Sequence, residues 1–181
     1  LVDYHARAAI AATVDVILSR SITGNSIGAK LTIPQGTLFT DSSGNSWLSA
    51  RDVTWYSNVT TCKVPIIQHE KYTASALNNM LIPTGDRVIV HLGTLPNGKY
   101  YEQGSMSLQI GGETWVLVDT FAKSKPTDKH FMVSVDEALN PYIMFGDGTF
   151  GKKPAAGAKI TNVVFYLTNG SQGNVKSNTI T

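Results

Sequence analysis

The chain reads as mainly β, with short antiparallel strands in one or two β units behind an N-terminal helix. Two observations point to β structure. From Ser21 onward, runs of β-branched and aromatic residues are broken every few positions by Gly, Pro and Asn, the pattern of strands joined by turns. Among them, Met106, Leu108 and Ile110 alternate with Ser105, Ser107 and Gln109, giving one apolar and one wet face. A third observation sets the start apart. Val2, Ala6, Ala9, Ile10, Val14 and Ile17 recur at steps near three and four, with Asp3, Arg7, Asp15 and Ser19 opposite, which predicts one amphipathic helix over residues 1–22.

In chain order, strands are expected at 30–33, 37–40, 46–49, 53–56, 64–68, 87–92, 106–110, 115–121, 130–135 and 141–145. Asp41-Ser42-Ser43-Gly44-Asn45 is a hairpin signal, because Gly44 and Asn45 tolerate positive φ, and Gly111-Gly112 is a second. The polar stretch 72–84, with Asn78, Asn79 and Pro83, is expected to be a loop with at most one helical turn. Segment 160–167 differs from the rest. Ile160, Val164 and Tyr166 take one face and Val163, Phe165 and Leu167 the other, so this strand is expected to be central or to lie in an interface. Pro96-Asn97-Gly98 is a strong turn. It divides a first β unit, 23–95, from a second, 96–181, unless both belong to one continuous domain.

Composition narrows the function classes. A chain of 181 residues can bury a sizeable core without staples, and a lone Cys62 could not supply a disulfide or a multi-cysteine metal site. Cys62 is expected to be a buried, inert thiol. Charged residues make up 15%, against roughly 25% in an average soluble protein, so the surface falls largely to Ser, Thr, Asn and Gly. A net charge of +2, with no basic cluster denser than Lys152-Lys153, argues against a nucleic-acid partner. No apolar run approaches the roughly 18 residues that span a bilayer, so no membrane partner is expected. The start at Leu1 without a methionine, and the stop at Thr181 after a strand-like run, suggest a fragment of a longer protein.

One segment imitates nucleotide-binding motifs. Gly146, Gly148 and Gly151 spell G-x-G-x-x-G, and the same residues with Lys152-Lys153 come within one residue of a phosphate-binding loop. Both motifs need a helix to open at the glycines, and the phosphate loop needs a hydroxyl where Lys153 stands. Pro154, Ala155, Ala156 and Gly157 follow, and then a strand. The reading favoured is a tight turn in which Asp147 bonds local N–H groups while Phe145 and Phe150 anchor its two sides. His5, His69, His91 and His130 sit on different elements without the helical spacing of a metal pair, and no G-x-S-x-G elbow occurs. Trp47, Trp55 and Trp115 offer either core packing or a sugar-stacking platform, with packing preferred.

Two blocks of residues carry a resemblance. The first is Tyr142-Ile143-Met144-Phe145-Gly146-Asp147-Gly148, then Gly151, Pro154, Gly157, Ile160, Tyr166, Thr168, Gly170 and Gly173-Asn174-Val175. The second is Ile33-Pro34-Gln35-Gly36-Thr37-Leu38-Phe39 followed by Ser43-Gly44-Asn45-Ser46-Trp47. Taken in chain order, the 33–47 block before the 142–175 block and the expected helix before both, they resemble the baseplate J-like proteins, wedge subunits of contractile phage tails, and the low charge and long loops look most like the wedge proteins of T-even-type phages. The resemblance covers residues 6–175.

It implies a virion structural protein of the tail baseplate, assembled in the host cytoplasm, that forms homodimers and contacts other wedge subunits in a ring. It implies no catalysis, cofactor or metal. Phe145, Gly146, Asp147, Gly148 and Gly151 would form a structural turn, with Gly146 and Gly148 supplying positive φ. Candidate association surfaces are Ala6, Ile10, Val14 and Ile17 on the expected helix, and Val163, Phe165 and Leu167 on the two-sided strand. The alternative is a carbohydrate- or receptor-binding β module of a tail fibre or cell surface, working through its tryptophans.

Overall fold

The computed structural model describes residues 8–21, 29–77, 79–170 and 180. The chain folds into two compact units, one of Ala11–Glu70 with Thr168–Thr181 and the other of Leu1–Ile10 with Lys71–Leu167. The break expected near Pro96 lies inside the second of these. Mainly β structure is what the described residues show, and the helical elements Ser75–Leu77 and Pro96–Gly98 are three-residue 3₁₀ turns. None is long and apolar enough to cross a membrane.

In the first unit, β1 (Thr13–Ser19) pairs along its whole length with β6 (Thr61–Ile67), from Thr13↔Ile67 to Ser19↔Thr61. Next to β6 come β4 (Ser46–Ser49) and then β3 (Leu38–Thr40), while β2 (Lys30–Ile33) and β5 (Val53–Tyr56) form a separate two-stranded ribbon. The expected N-terminal helix is therefore corrected over 13–19, where a strand stands. Two features of the sequence explain this. Val14, Val16 and Ile17 are β-branched, which favours the strand and disfavours the helix. Val14, Val16 and Leu18 also alternate at period two, and Val16 and Leu18 pack on the core of Ile33, Phe39, Trp47, Trp55, Cys62, Val64 and Ile66.

The second unit holds an eight-stranded sheet. Its order is β7 (Glu70–Thr73), β14 (Ile160–Thr168), β10 (Ser107–Ile110), β11 (Glu113–Leu117), β12 (His130–Val135), β13 (Pro141–Phe145) and β8 (Ile89–His91), with β9 (Tyr100–Tyr101) also paired to β14. One pair departs from the expected antiparallel rule, because β11 and β12 run parallel through Val116↔His130 and Leu117↔Phe131. The connection between them, 118–129, is long enough to return the chain to the same end of the sheet. Strand β7 runs into the polar 72–84 stretch, where a loop is expected.

Strand β14 is central, and it carries a β-bulge. Ser107 pairs with Val164 but Gln109 with Thr161, so one extra residue of β14 is accommodated where Asn162 adopts φ 53°. The bulge turns Ile160 to the same side as Val163, Phe165 and Leu167, and all four are at most 1% exposed. A uniform alternation cannot show this, which is why it assigns Ile160 to the other face.

Candidate functional site

The bend after β13 is built from the residues singled out in the sequence. Phe145 anchors its start, 5% exposed, edge-on to Trp115 at 5.4 Å between ring centroids and tilted against Phe131 at 6.4 Å. Asp147 then turns its Oδ1 back to accept the N–H groups of Thr149 and Phe150, both at 2.8 Å. The Gly148 N–H donates to the Gly151 carbonyl at 3.0 Å, closing the loop. The hydrogen bonds from Phe150 and Thr149 hold the Asp147 carboxyl below its ordinary range. Asp147 itself is exposed, whereas Gly146 and Gly151 are buried.

The glycines divide their work differently from expectation. Positive φ falls on Gly148 (93°) and Gly151 (82°). Gly146 is required for another reason: a Cβ there would lie 2.3 Å from the Gly151 carbonyl carbon and 2.7 Å from its Cα. The two glycines therefore meet backbone to backbone, and Phe121 closes over Gly151, 3.2 Å from where its Cβ would stand. Phe150, expected to anchor the far side, is 53% exposed. No helix follows Gly151 in the described residues, and the next regular element is β14.

A cleft of about 520 Å³ opens beside the bend. Ile89, Met144 and Met132 lie in line across β8, β13 and β12, since Met144 pairs with both of the others. They floor the cleft, with Phe121 and Phe150 on its walls and Arg87 and Asp147 lining it. Sequence reading points to the bend and misses the cleft. The signal for it was Met132 on β12 and Met144 on β13, large apolar residues on a face that alternation assigns to solvent.

The other candidates are placed as follows. Ala6 and His5 lie outside the described residues. Ile10 (78% exposed) precedes β1, and Val14 (40%) and Ile17 (69%) stand on opposite faces of that strand, so the expected apolar helix stripe does not form. Val163, Phe165 and Leu167 are corrected from an association surface to the core of the second unit. Trp47, Trp55 and Trp115 are 1%, 7% and 4% exposed, buried in cores instead of displayed for sugar stacking. Cys62 is buried. His91 lies against the Tyr142 ring at 5.5 Å, and His130 Nδ1 shares a 2.8 Å hydrogen bond with Ser124 Oγ. Among the described residues no three His, Cys, Asp or Glu side chains converge as a metal ion would require.

Two aspartates outside the bend act alike. Asp41 accepts the N–H groups of Ser43 and Asn45 on Oδ1 and the Asn45 amide on Oδ2, at 2.8 to 2.9 Å, with Trp47 Nε1 at 3.3 Å. Asp136 accepts the N–H groups of Ala138 and Asn140 on Oδ1 and the Asn140 amide on Oδ2. Each closes a hairpin of pattern D-x-x-x-N, with positive φ at the fourth residue, Gly44 (82°) in one and Leu139 (63°) in the other. Only the first was legible as a turn, because a leucine stands where the second needs a glycine.

No protein-family model matches the chain, and no curated protein matches it significantly.

Proposed function

We propose that the chain is a structural component of a contractile phage tail baseplate, a wedge subunit that works by contacts with its own copies and with neighbouring subunits. The reading rests on the two residue blocks that resemble the baseplate J-like family. The observation that carries it furthest is the use made of the bend at 145–151. Its aspartate is engaged by the N–H groups of Thr149 and Phe150, and its glycines are required by a backbone contact and two positive φ angles. The three glycines that imitate a phosphate loop are thereby accounted for by the shape of the turn. A low charge content suits broad subunit contacts, because each buried charge must be paired against a large desolvation cost.

The test is location. Tail particles from a phage encoding the chain are dissociated into sheath, tube and baseplate, and each fraction is analysed by mass spectrometry. Recovery in the baseplate at a stoichiometry set by the tail's symmetry supports the reading. Absence from intact particles, or recovery only with fibres, overturns it.

A further inference from the structure

We propose that the free edge of β8 and the adjoining cleft form a docking site for an extended segment of a partner protein, in which a large apolar residue is followed two places later by Asp or Glu. This deepens the contact-forming reading above by giving one contact a chemistry. Strand β8 ends its sheet, so its second side has no strand beside it among the described residues. The bonds it makes to β13 use Val88 and Leu92, Val88 accepting from Phe145 N–H and Leu92 N–H donating to Pro141. Ile89 and His91, which alternate with these, direct their backbone groups to the open side. An extended chain laid there would complete the ladder.

Side-chain chemistry selects the segment. Arg87 and Ile89 share a face, since Val88 and Val90 between and beyond them are each 1% exposed in the core. Ile89, 42% exposed, begins the apolar floor that continues through Met144 and Met132. Arg87 has no hydrogen-bond or ion-pair partner among the described residues, and Asp147 acts on it only through space while its Oδ1 is held by its own turn. The cleft thus offers an apolar seat beside an uncommitted guanidinium, complementary to an apolar group joined to a carboxylate. In an antiparallel pairing, a residue opposite Ile89 is followed two positions later by the residue opposite Arg87. That spacing sets the apolar-x-acidic order.

The probe is a blocked pentapeptide, Thr-Val-Phe-Thr-Glu, with Thr-Val-Phe-Thr-Lys as control, titrated into isotope-labelled protein and followed by NMR. The expected result is saturable movement of the Ile89 and His91 amides together with the Met132 and Met144 methyls, about tenfold weaker for the lysine peptide. Arg87→Glu, on an exposed position, should invert the preference between the two peptides while leaving the rest of the spectrum in place. Methyl shifts without the two amides would mean a side-chain pocket and no strand pairing, and equal binding of both peptides would remove the role of Arg87; either overturns the proposal, as does no saturable shift at all. None of these results touches the baseplate location, which the fractionation of tail particles decides separately.

Discussion

Gly146 and Gly151 illustrate how little room a backbone contact leaves. Gly146→Ala must push its own main chain away from that of Gly151, whereas Gly148→Ala meets only the positive φ, its nearest neighbour being Lys153 Cβ at 3.8 Å. Urea denaturation should therefore show a loss above about 3 kcal/mol for Gly146→Ala and about 1 to 2 kcal/mol for Gly148→Ala. A reversal of that order would contradict the contact. Leu139 offers the opposite experiment. It is 42% exposed at φ 63°, a conformation an L side chain resists, so Leu139→Gly should gain about 1 kcal/mol after the added flexibility of the unfolded chain is subtracted. Asp41 sets an acid limit. Burial opposes its charge, but the hydrogen bonds from Asn45, Trp47 and Ser43 outweigh it and lower the pKa below 3.8. A lowered folded pKa adds stability that is complete above the unfolded value and disappears as pH falls through the folded one. Stability should then decline below about pH 4, and Asp41→Asn, weaker at neutral pH, should flatten that decline in urea midpoints measured across pH.

At the scale of elements, β1 is the place where two periodicities compete. Val14 and Ile17 suit a helix stripe at three-residue spacing, and Val14, Val16 and Leu18 suit a strand at two. Seven paired positions on β6 decide for the strand. The two geometries make different mutational forecasts. Ile17 points outward, so Ile17→Thr should change stability by no more than about 0.5 kcal/mol, while Ile66→Ala, at 1% exposure in β6, should cost about 2 to 5 kcal/mol. A large loss at Ile17 would argue for an inward face and hence for the helix. Strand β14 carries the related lesson. Its apolar content announced a central strand, but the bulge at Asn162 that brings Ile160 and Val163 to one side depends on the register of β10 and has no local signature beyond an asparagine.

Across the whole molecule, two separate apolar cores correspond to the two units. Hydrogen exchange should register them separately: with Ile66→Ala, amides of β1, β4 and β6 should lose protection before those of β12 and β13, and uniform loss would mean a single cooperative unit. The strands at 30–33, 46–49, 53–56, 130–135 and 141–145 were legible residue for residue, as were the turns at Asp41–Asn45 and Gly111-Gly112 and the self-capping of Asp147. Alternation, turn chemistry and side-chain hydrogen bonding within a few residues are local, so the sequence by itself determined them. Tertiary structure alone decided the strand at 13–19, the parallel pairing of β11 with β12, the contact between Gly146 and Gly151, and the cleft floored by Ile89, Met144 and Met132. Each of these joins residues from different elements, and its free energy comes from burial or close approach between them, which no window along the chain contains.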